Sequence, residues 1–200
     1  MTEIIIKSAI VALCSYLIGS IPTGYIVVKI KTGKDIRQTG SGSMGATNVK
    51  RVLGTKWFFI ILLLDGIKGI IPVCLTKLFL NDLNGFYPAL SSLFTIIGHT
   101  LPIYIGFKGG KSVATGIGTI IGLNPIIGVV TALIWAILTY LTRYVSVGSI
   151  IAVLIAPLLM YFYNAPVYFF LVCIINAMWI ICAHSANILR LIKGEENKVR

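Results

Sequence analysis

The chain has 200 residues, of which 57% are hydrophobic and 12% are charged, and its mean hydropathy is +0.95. These values exclude a water-soluble globular domain, because such a domain needs many more polar residues to cover its surface. They predict one membrane-embedded domain over residues 1–200 with several transmembrane segments. The formal net charge is +11, and the positions of the cations in a membrane protein indicate its orientation.

Seven apolar runs are predicted to be transmembrane segments. In chain order they are Ile4–Val28, Trp57–Leu80, Ala89–Phe107, Val113–Leu123, Pro125–Leu141, Val145–Tyr163 and Pro166–Ala183. The longest polar segment, Lys29–Lys56, is too short to form a separate soluble domain. The four cysteines lie in apolar runs without CxxC spacing and are predicted to be packing residues. The sequence therefore predicts an all-α integral membrane protein, a seven-span helical bundle.

The cations fall on alternate connections of this bundle. Those connections are Lys29–Lys56 with seven, Lys108–Lys111 with two, Thr142–Tyr144 with one and Arg190–Arg200 with four. Fourteen of the 17 Lys and Arg residues thus share one side, which the positive-inside rule assigns to the cytoplasm. The predicted N-terminus is outside and the predicted C-terminus is cytoplasmic.

The fourth run, Val113–Leu123, is short for a transmembrane segment. At ~1.5 Å per residue it covers about half of a ~30 Å hydrocarbon layer. If it did not cross, Arg143 and the C-terminal cations would lie outside, opposite the other cations. We therefore predict a short or re-entrant half-helix that is buried in the bundle, where irregular backbone is tolerated.

The segment Gly40–Arg51 consists almost wholly of small residues, hydroxyls, one amide and two cations. Glycines let backbone N–H groups converge on an oxyanion, hydroxyls and the amide add donors, and cations neutralise phosphate charge. The segment therefore predicts a site for a phosphorylated ligand, with a flexible cytosolic loop as the plain alternative. It also spells GxGxxG, but no strand precedes it, and Asp65, at the spacing of a ribose-binding acid, lies inside an apolar run.

Three further polar stretches are predicted on the same face, where they can meet the first in one pocket: Gly106–Ser112, Arg143–Ser149 and His184–Arg190. Lys111 follows two glycines at the start of a predicted helix, and a helix N-terminus with a lysine beside it binds phosphate by dipole and charge together. Positive-inside anchoring is the plain alternative for Lys111 and for its neighbour Lys108. A Walker A loop is excluded, because its first glycine would stand where the chain has Ile105.

Both histidines lie at the end of, or within, apolar runs. His184 ends the last run and Asn187 follows three residues later, so the two are predicted on one helical face. The plain alternative is an interfacial histidine at the end of the bundle. His99 is predicted to be a hydrogen-bonded packing residue. Asp65 and Lys68 are predicted to form an ion pair, because charges inside a membrane pair with each other.

Several motifs stand in a specific order along the chain. They are Gly19–Pro22, Gly40–Gly42, Gly45–Asn48 with Arg51, Gly106–Lys111 with Val113–Thr115, and His184 with Asn187 and Ile188. In this order and spacing they resemble the bacterial acyl-phosphate:glycerol-3-phosphate acyltransferases, the PlsY family, over essentially the whole chain. Ser43 and Ser185 depart from the family pattern, which usually has Asn and Arg at those places.

The resemblance implies transfer of a fatty acyl group from acyl phosphate to the sn-1 hydroxyl of glycerol 3-phosphate. The products are lysophosphatidic acid and inorganic phosphate, and the reaction is the first acylation of phospholipid biosynthesis. The expected location is the plasma membrane, with the active site on its cytoplasmic face. The expected partners are glycerol 3-phosphate, a long-chain acyl phosphate and the lipid bilayer. No cofactor, metal or nucleic acid is expected.

The same resemblance implies roles for the polar residues. The expected catalytic residues are Lys111, His184 and Asn187. The residues expected to bind glycerol 3-phosphate are Arg51, Lys111, Ser149, His184 and Asn187. The residues expected to bind acyl phosphate are Gly40, Ser41, Gly42, Gly45, Thr47, Asn48, Gly109 and Gly110. Either His184 or the substrate phosphate accepts the proton of the nucleophilic hydroxyl.

The residues agree with this chemistry because they offer no other acylation mechanism. The HxxxxD pair of other glycerol-phosphate acyltransferases is absent, since the fifth residue after His99 is Tyr104 and after His184 is Leu189. An acyl phosphate is already an activated anhydride, so alignment and charge stabilisation suffice. Two alternatives from other classes stay open: a transporter for a phosphorylated metabolite and a non-catalytic binder of anionic lipid headgroups.

Overall fold

The computed structural model describes residues 1–80 and 82–199, and the regular structure within these ranges is entirely helical. The α-helices are α1 (Thr2–Gly19), α2 (Thr23–Thr32), α3 (Ala46–Leu53), α4 (Thr55–Phe79), α5 (Phe86–Thr100), α6 (Val113–Leu123), α7 (Pro125–Thr142), α8 (Val145–Phe162), α9 (Val167–Ala183) and α10 (Ser185–Ile192). Short 3-10 turns cover Ile36–Gln38 and Ile103–Ile105. The predicted all-α class is confirmed.

Most of these helices are long and apolar enough to cross a membrane. Within the described ranges, five segments meet this requirement, namely α1 together with α2, α4, α5 extended to Ile105, α7 and α8. Helices α9 and α10 make a sixth if they count as one span bent by 60°. Helix α6 has the bounds predicted for the short fourth run. The count of seven crossings and their orientation stay predictions.

The outer surface of the bundle is apolar. Leu63 on α4, Ile137 on α7, Leu154 on α8 and Met178 on α9 are each between 50% and 63% exposed. Soluble proteins rarely expose large apolar side chains over a continuous surface. This surface therefore faces lipid, in agreement with an integral membrane protein.

Small residues let α6 approach α4 closely in the interior. A side chain at Gly69 of α4 would overlap the Thr115 carbonyl, and one at Gly118 of α6 would overlap the Gly66 carbonyl. Membrane helices associate largely through such backbone contact, because lipid provides no hydrophobic force to drive them together. This contact fixes the position of the short helix α6, which begins at Val113, two residues after Lys111.

The first apolar run is broken, whereas the sequence predicted one continuous segment over Ile4–Val28. Helix α1 ends at Gly19 and α2 begins at Thr23, with Pro22 as its N-cap. Proline lacks an N–H and disfavours helical backbone in the residue before it, so the helix stops at this point. The predicted crossing is thus two helices in sequence.

The segment Gly40–Arg51 is also only partly a loop. Its second half belongs to α3, which the sequence analysis did not predict. Ala46 and Val49 are buried on one side of this short helix, and Lys50 and Arg51 lie in its last turn. The five glycines and serines between Gly40 and Gly45 obscure a helical pattern that is only two turns long. The difference matters because the N-terminus of α3 becomes part of the site.

The ion pair predicted between Asp65 and Lys68 is confirmed, with Lys68 Nζ 3.0 Å from Asp65 Oδ1. Lys68 also donates to the Ile21 carbonyl at 2.8 Å, and the Thr23 hydroxyl donates to Asp65. The pair therefore stabilises the break between α1 and α2. His99 is buried, with Nδ1 3.1 Å from Thr115 Oγ1, which confirms its predicted packing role.

Candidate active site

A cavity of about 300 Å³ lies where the N-termini of α3, α6 and α8 meet the junction of α9 and α10. All four polar stretches that the sequence placed on one face contribute to its wall. The expected site residues among its lining are Gly40, Ser41, Gly45, Thr47, Asn48, Arg51, Lys111, Ser149, His184 and Asn187. These expected residues come from distant parts of the chain, from Gly40 to Asn187.

The loop before α3 is shaped by the side chain of Asn48, which is 1% exposed. Its amide nitrogen lies within hydrogen-bond distance of the carbonyls of Ile36, Thr39 and Ser43, at 3.3, 3.0 and 2.8 Å. Its oxygen accepts the Ser41 N–H at 3.1 Å. These bonds use the donors of the amide, so Asn48 organises the loop from its place in the cavity wall, and its expected contact with acyl phosphate stays a prediction.

Three expected acyl phosphate ligands lie outside the cavity wall: Gly42, Gly109 and Gly110. The Gly42 N–H donates to the Thr39 carbonyl at 3.0 Å. Both other N–H groups donate at 3.1 Å to α5, from Gly109 to Thr100 and from Gly110 to His99. These three N–H groups already have acceptors within the protein, and the ligand role expected for the three glycines stays a prediction. Sequence alone does not separate a glycine N–H that binds an anion from one that binds a carbonyl of the protein.

The N-terminus of α3 opens onto the cavity through Gly45, Ala46 and Thr47. The first N–H groups of a helix have no partner within the helix and carry partial positive charge. Arg51 follows from the last turn of the same helix and also lines the cavity. This side of the cavity is therefore suited to an oxyanion.

Lys111, in the segment before α6, also lines the cavity, and its ammonium donates to Asn187 Oδ1. Burial lowers the pKa of Lys111 below its ordinary value, and the nearby cations Arg190 and Arg51 lower it further, against the opposing charge of Glu196. Three cations, Arg51, Lys111 and Arg190, line the cavity with two carboxylates, Glu196 and Asp65, and Asp65 already forms an ion pair with Lys68. This imbalance favours a bound anion, which would restore the pKa of the lysine.

His184 lies between α9 and α10 and not within one helix. Its Nδ1 is 2.8 Å from the Ile180 carbonyl, an acceptor, so Nδ1 carries the proton and Nε2 is the acceptor in the neutral ring. Helices α9 and α10 meet at an angle of 60°, and His184 is the N-cap of α10. The Asn187 N–H donates to the His184 carbonyl at 2.8 Å, so both residues lie in the first turn of α10, and both line the cavity.

Ser149 is held on the first turns of α8. Its hydroxyl donates to the Val145 carbonyl at 2.7 Å and accepts from Trp135 Nε1 at 3.2 Å. The oxygen faces the cavity with one lone pair still available. Ser149 can therefore accept a hydrogen bond from a substrate hydroxyl, or reorient its own hydrogen toward a phosphate.

The C-terminal tail completes the wall, a contribution that the sequence patterns did not predict. Glu196 accepts hydrogen bonds from Asn187 Nδ2 at 2.6 Å, Arg190 Nε at 2.7 Å and Ser146 Oγ at 3.0 Å. The Val199 N–H donates to the Arg143 carbonyl at 2.8 Å, which folds the tail back over α8. Nothing in the local sequence separates Glu196 from an ordinary solvated tail residue.

Burial alone would raise the pKa of Glu196, but the hydrogen bonds from Asn187, Arg190 and Ser146 outweigh it and hold the pKa below its usual 4.5. The carboxylate therefore contributes stability that is fully present above about pH 4.5 and is lost as the pH falls through the lowered value. Because the Glu196 carboxylate accepts hydrogen bonds from both Asn187 and Arg190, it fixes the positions of these two side chains in the cavity wall.

We expect Glu196→Gln to lower kcat/KM for glycerol 3-phosphate about tenfold, equivalent to about 1.4 kcal/mol, because Asn187 and Arg190 lose a charged acceptor. The melting temperature in detergent should fall at neutral pH, and the difference from wild type should shrink below pH 4.5. Glu195→Gln, at the exposed neighbouring carboxylate, is the matched control. Equal effects of both substitutions would refute the positioning role.

The remaining wall is partly apolar. Phe58 and Leu62 of α4 and Val113 and Ala114 of α6 line the cavity beside the polar groups. Asp65, which forms the ion pair with Lys68, also contributes to this side. One cavity thus combines cations and the N-terminus of α3 with an apolar wall.

Comparisons with known proteins agree with this chemistry. Residues 9–194 match the protein family described as glycerol-3-phosphate acyltransferase. The glycerol-3-phosphate acyltransferase of Macrococcus caseolyticus is 40% identical over 192 residues, which cover 96% of this chain and 97% of that protein. The one of Staphylococcus saprophyticus is 42% identical over 206 residues, with 96% and 97% covered.

Two solved structures are also similar. The glycerol 3-phosphate form of PlsY, an integral membrane glycerol 3-phosphate acyltransferase, has a TM-score of 0.91 and 36% identity, with 96% of each chain covered. The lysophosphatidic acid form has a TM-score of 0.88 and 34% identity, with 96% of this chain and 95% of the other covered. The chain therefore belongs to the glycerol-3-phosphate acyltransferase family of integral membrane enzymes.

Proposed function

We propose that the cavity holds glycerol 3-phosphate and an acyl phosphate together and transfers the acyl group directly between them. The observation that carries this proposal is the meeting of Arg51, Lys111 and the N-terminus of α3 around one cavity with an apolar wall. Two phosphate groups need cations and N–H donors, and a fatty chain needs an apolar path. The cavity offers both within a single space.

Glycerol 3-phosphate lies between Lys111 and Arg51, with Ser149, His184 and Asn187 holding its hydroxyls and phosphate. The acyl phosphate head lies at the loop Gly40–Gly45 and the first turn of α3. Its chain leaves along Phe58 and Leu62 toward the lipid. This arrangement places the anhydride carbonyl between the two phosphate sites, where alignment replaces covalent catalysis.

The sn-1 hydroxyl oxygen attacks the acyl carbonyl carbon, and the bond from that carbon to the phosphate oxygen breaks. Phosphate leaves with the bonding electrons, and the cations stabilise the charge that develops on it. The hydroxyl proton passes to His184 Nε2 or to a substrate phosphate. Neutral His184 can accept this proton at Nε2, because the hydrogen bond to the Ile180 carbonyl keeps the ring proton on Nδ1.

A single assay tests the proposed reaction. Purified protein in detergent is mixed with glycerol 3-phosphate and palmitoyl phosphate, and both phosphate release and lysophosphatidic acid are followed over time. An acyltransferase forms the two products in equal amounts without a membrane gradient. Counterflow of glycerol 3-phosphate in vesicles without product formation would support a transporter instead, and binding without either would support a headgroup binder.

The proposal includes seven crossings in the plasma membrane, with α6 as a half-helix and the cavity on the cytoplasmic face. We expect cysteines introduced at Ser41 and at Ser185 to react with the same side of sealed, oriented vesicles, because both residues lie on segments of the cavity wall. Asn84→Cys, between α4 and α5, should react from the opposite side. Labelling of Ser41→Cys and Ser185→Cys from opposite sides would exclude a shared site.

A further inference from the structure

The segment that carries Lys111 has no regular structure of its own and is held by the last turn of α5. Besides the N–H groups of Gly109 and Gly110, which donate to α5 carbonyls, Ser112 Oγ donates to the Ile96 carbonyl at 3.1 Å. Ser112 Oγ is also 2.6 Å from Thr100 Oγ1. The carbonyls at the end of α5 thus obtain partners from the segment that presents the lysine.

The ring of His99 is the side chain at the centre of this contact. A methyl group on Gly110 would overlap it, and the three atoms nearest to that methyl are all in the ring. On its other side, His99 Nδ1 is 3.1 Å from Thr115 Oγ1 and 3.8 Å from Asp65 Oδ1. The ring therefore fills the space between the buried ion pair, the first turn of α6 and the residue before Lys111.

We propose that His99 is a positioning residue for Lys111, setting the backbone of Gly110 so that the ammonium reaches Asn187 and the cavity. The inference rests on the proposed function, in which Lys111 binds the phosphate of glycerol 3-phosphate. Two contacts then fix the position of Lys111. The His99 ring packs against the backbone of Gly110, the preceding residue, and Asn187 accepts a hydrogen bond from the ammonium. Without the ring the segment shifts, and a displacement of about 1 Å at a substrate clamp reduces the rate up to about 10²-fold.

His99→Ala is expected to lower kcat/KM for glycerol 3-phosphate by about 10- to 100-fold, mainly through KM. The KM for acyl phosphate should change less than about twofold, because the contacts of the His99 ring are with Thr115, Asp65 and Gly110 and the proposed acyl phosphate site is at the loop before α3. His99→Gln, which restores a polar partner for Thr115, should recover part of the loss. Met160→Ala, at a fully buried residue outside the cavity wall, is the control for general destabilisation and should lower the melting temperature without changing either KM.

Gly110→Ala gives a second test that does not depend on how well the His99→Ala protein folds. The added methyl overlaps the ring and should also raise the KM for glycerol 3-phosphate selectively. In the double variant the ring is absent, so the methyl has space, and the loss should be no larger than in His99→Ala alone. Losses that multiply, or an unchanged KM in both single variants, would overturn the inference.

The variant Lys111→Ala separates a failure of the proposed function from a failure of the positioning role of His99. If that variant leaves the KM for glycerol 3-phosphate unchanged, the proposed role of the lysine fails. If that variant raises the KM while His99→Ala and Gly110→Ala do not, only the positioning role of His99 fails.

Discussion

Replacing Lys111 with alanine is expected to lower kcat/KM for glycerol 3-phosphate by about 10²-fold or more, with the protein still folded in the membrane. The ammonium faces the cavity together with Arg51 and Arg190, so its removal takes away one of the cations that bind phosphate and stabilise the leaving group. The loss should appear in initial rates of phosphate release at varied concentrations of glycerol 3-phosphate.

Lys108→Ala is the matched control for this experiment. Lys108 belongs to the same segment, three residues earlier, but it is exposed and lies outside the cavity wall. We expect its removal to change kcat/KM less than about twofold. Comparable losses in the two variants would mean that the segment only anchors the protein to the headgroups, which was the plain alternative for both lysines.

The lowered pKa of Lys111 adds a pH dependence to the same experiment. Because burial and neighbouring cations hold this pKa below 10.5, the ammonium loses its proton at a lower pH than an exposed lysine does. The value of kcat/KM should therefore fall as the pH rises through the depressed pKa. Lys111→Arg, whose guanidinium stays protonated, should retain activity to higher pH if the lysine causes the fall.

The sequence contained enough information to find Lys111, His184 and the loop at Gly40–Arg51, because each combines polar groups in a way that apolar surroundings make conspicuous. The alternation of cations then indicated that they share one face, and the cavity brings them together. Their individual contacts were harder to predict. Asn48 and Gly110 bind carbonyls of the protein itself, and only the three-dimensional path of the chain identifies those carbonyls.

No local sequence pattern predicts two features of the site. The bend between α9 and α10 falls at Ala183–Ser185, which contains neither glycine nor proline, so a continuous helix was the natural expectation. Glu196 lies in a hydrophilic tail after Gly194, and its three hydrogen bonds form only because that tail returns to α8. Long-range contacts of this kind depend on packing, which hydropathy and spacing do not describe.

His184→Ala is expected to lower kcat by about 10²- to 10⁴-fold if Nε2 accepts the hydroxyl proton, since this is the range that a positioned base contributes. The KM for glycerol 3-phosphate should change much less, because Lys111 and Arg51 still bind the phosphate. Ser185→Ala, at the exposed next residue, should retain the wild-type rate.

The substrate phosphate is the competing proton acceptor, and His184→Gln separates the two. Glutamine can hold the hydroxyl by a hydrogen bond but cannot take its proton at neutral pH. If His184 is the base, kcat of His184→Gln stays close to that of His184→Ala, and the wild-type rate falls on the acid side as the imidazole becomes protonated. If kcat of His184→Gln is within about threefold of wild type, the ring only orients the hydroxyl. The phosphate of the substrate must then remove the proton, and the cations that surround it would act on both the nucleophile and the leaving group.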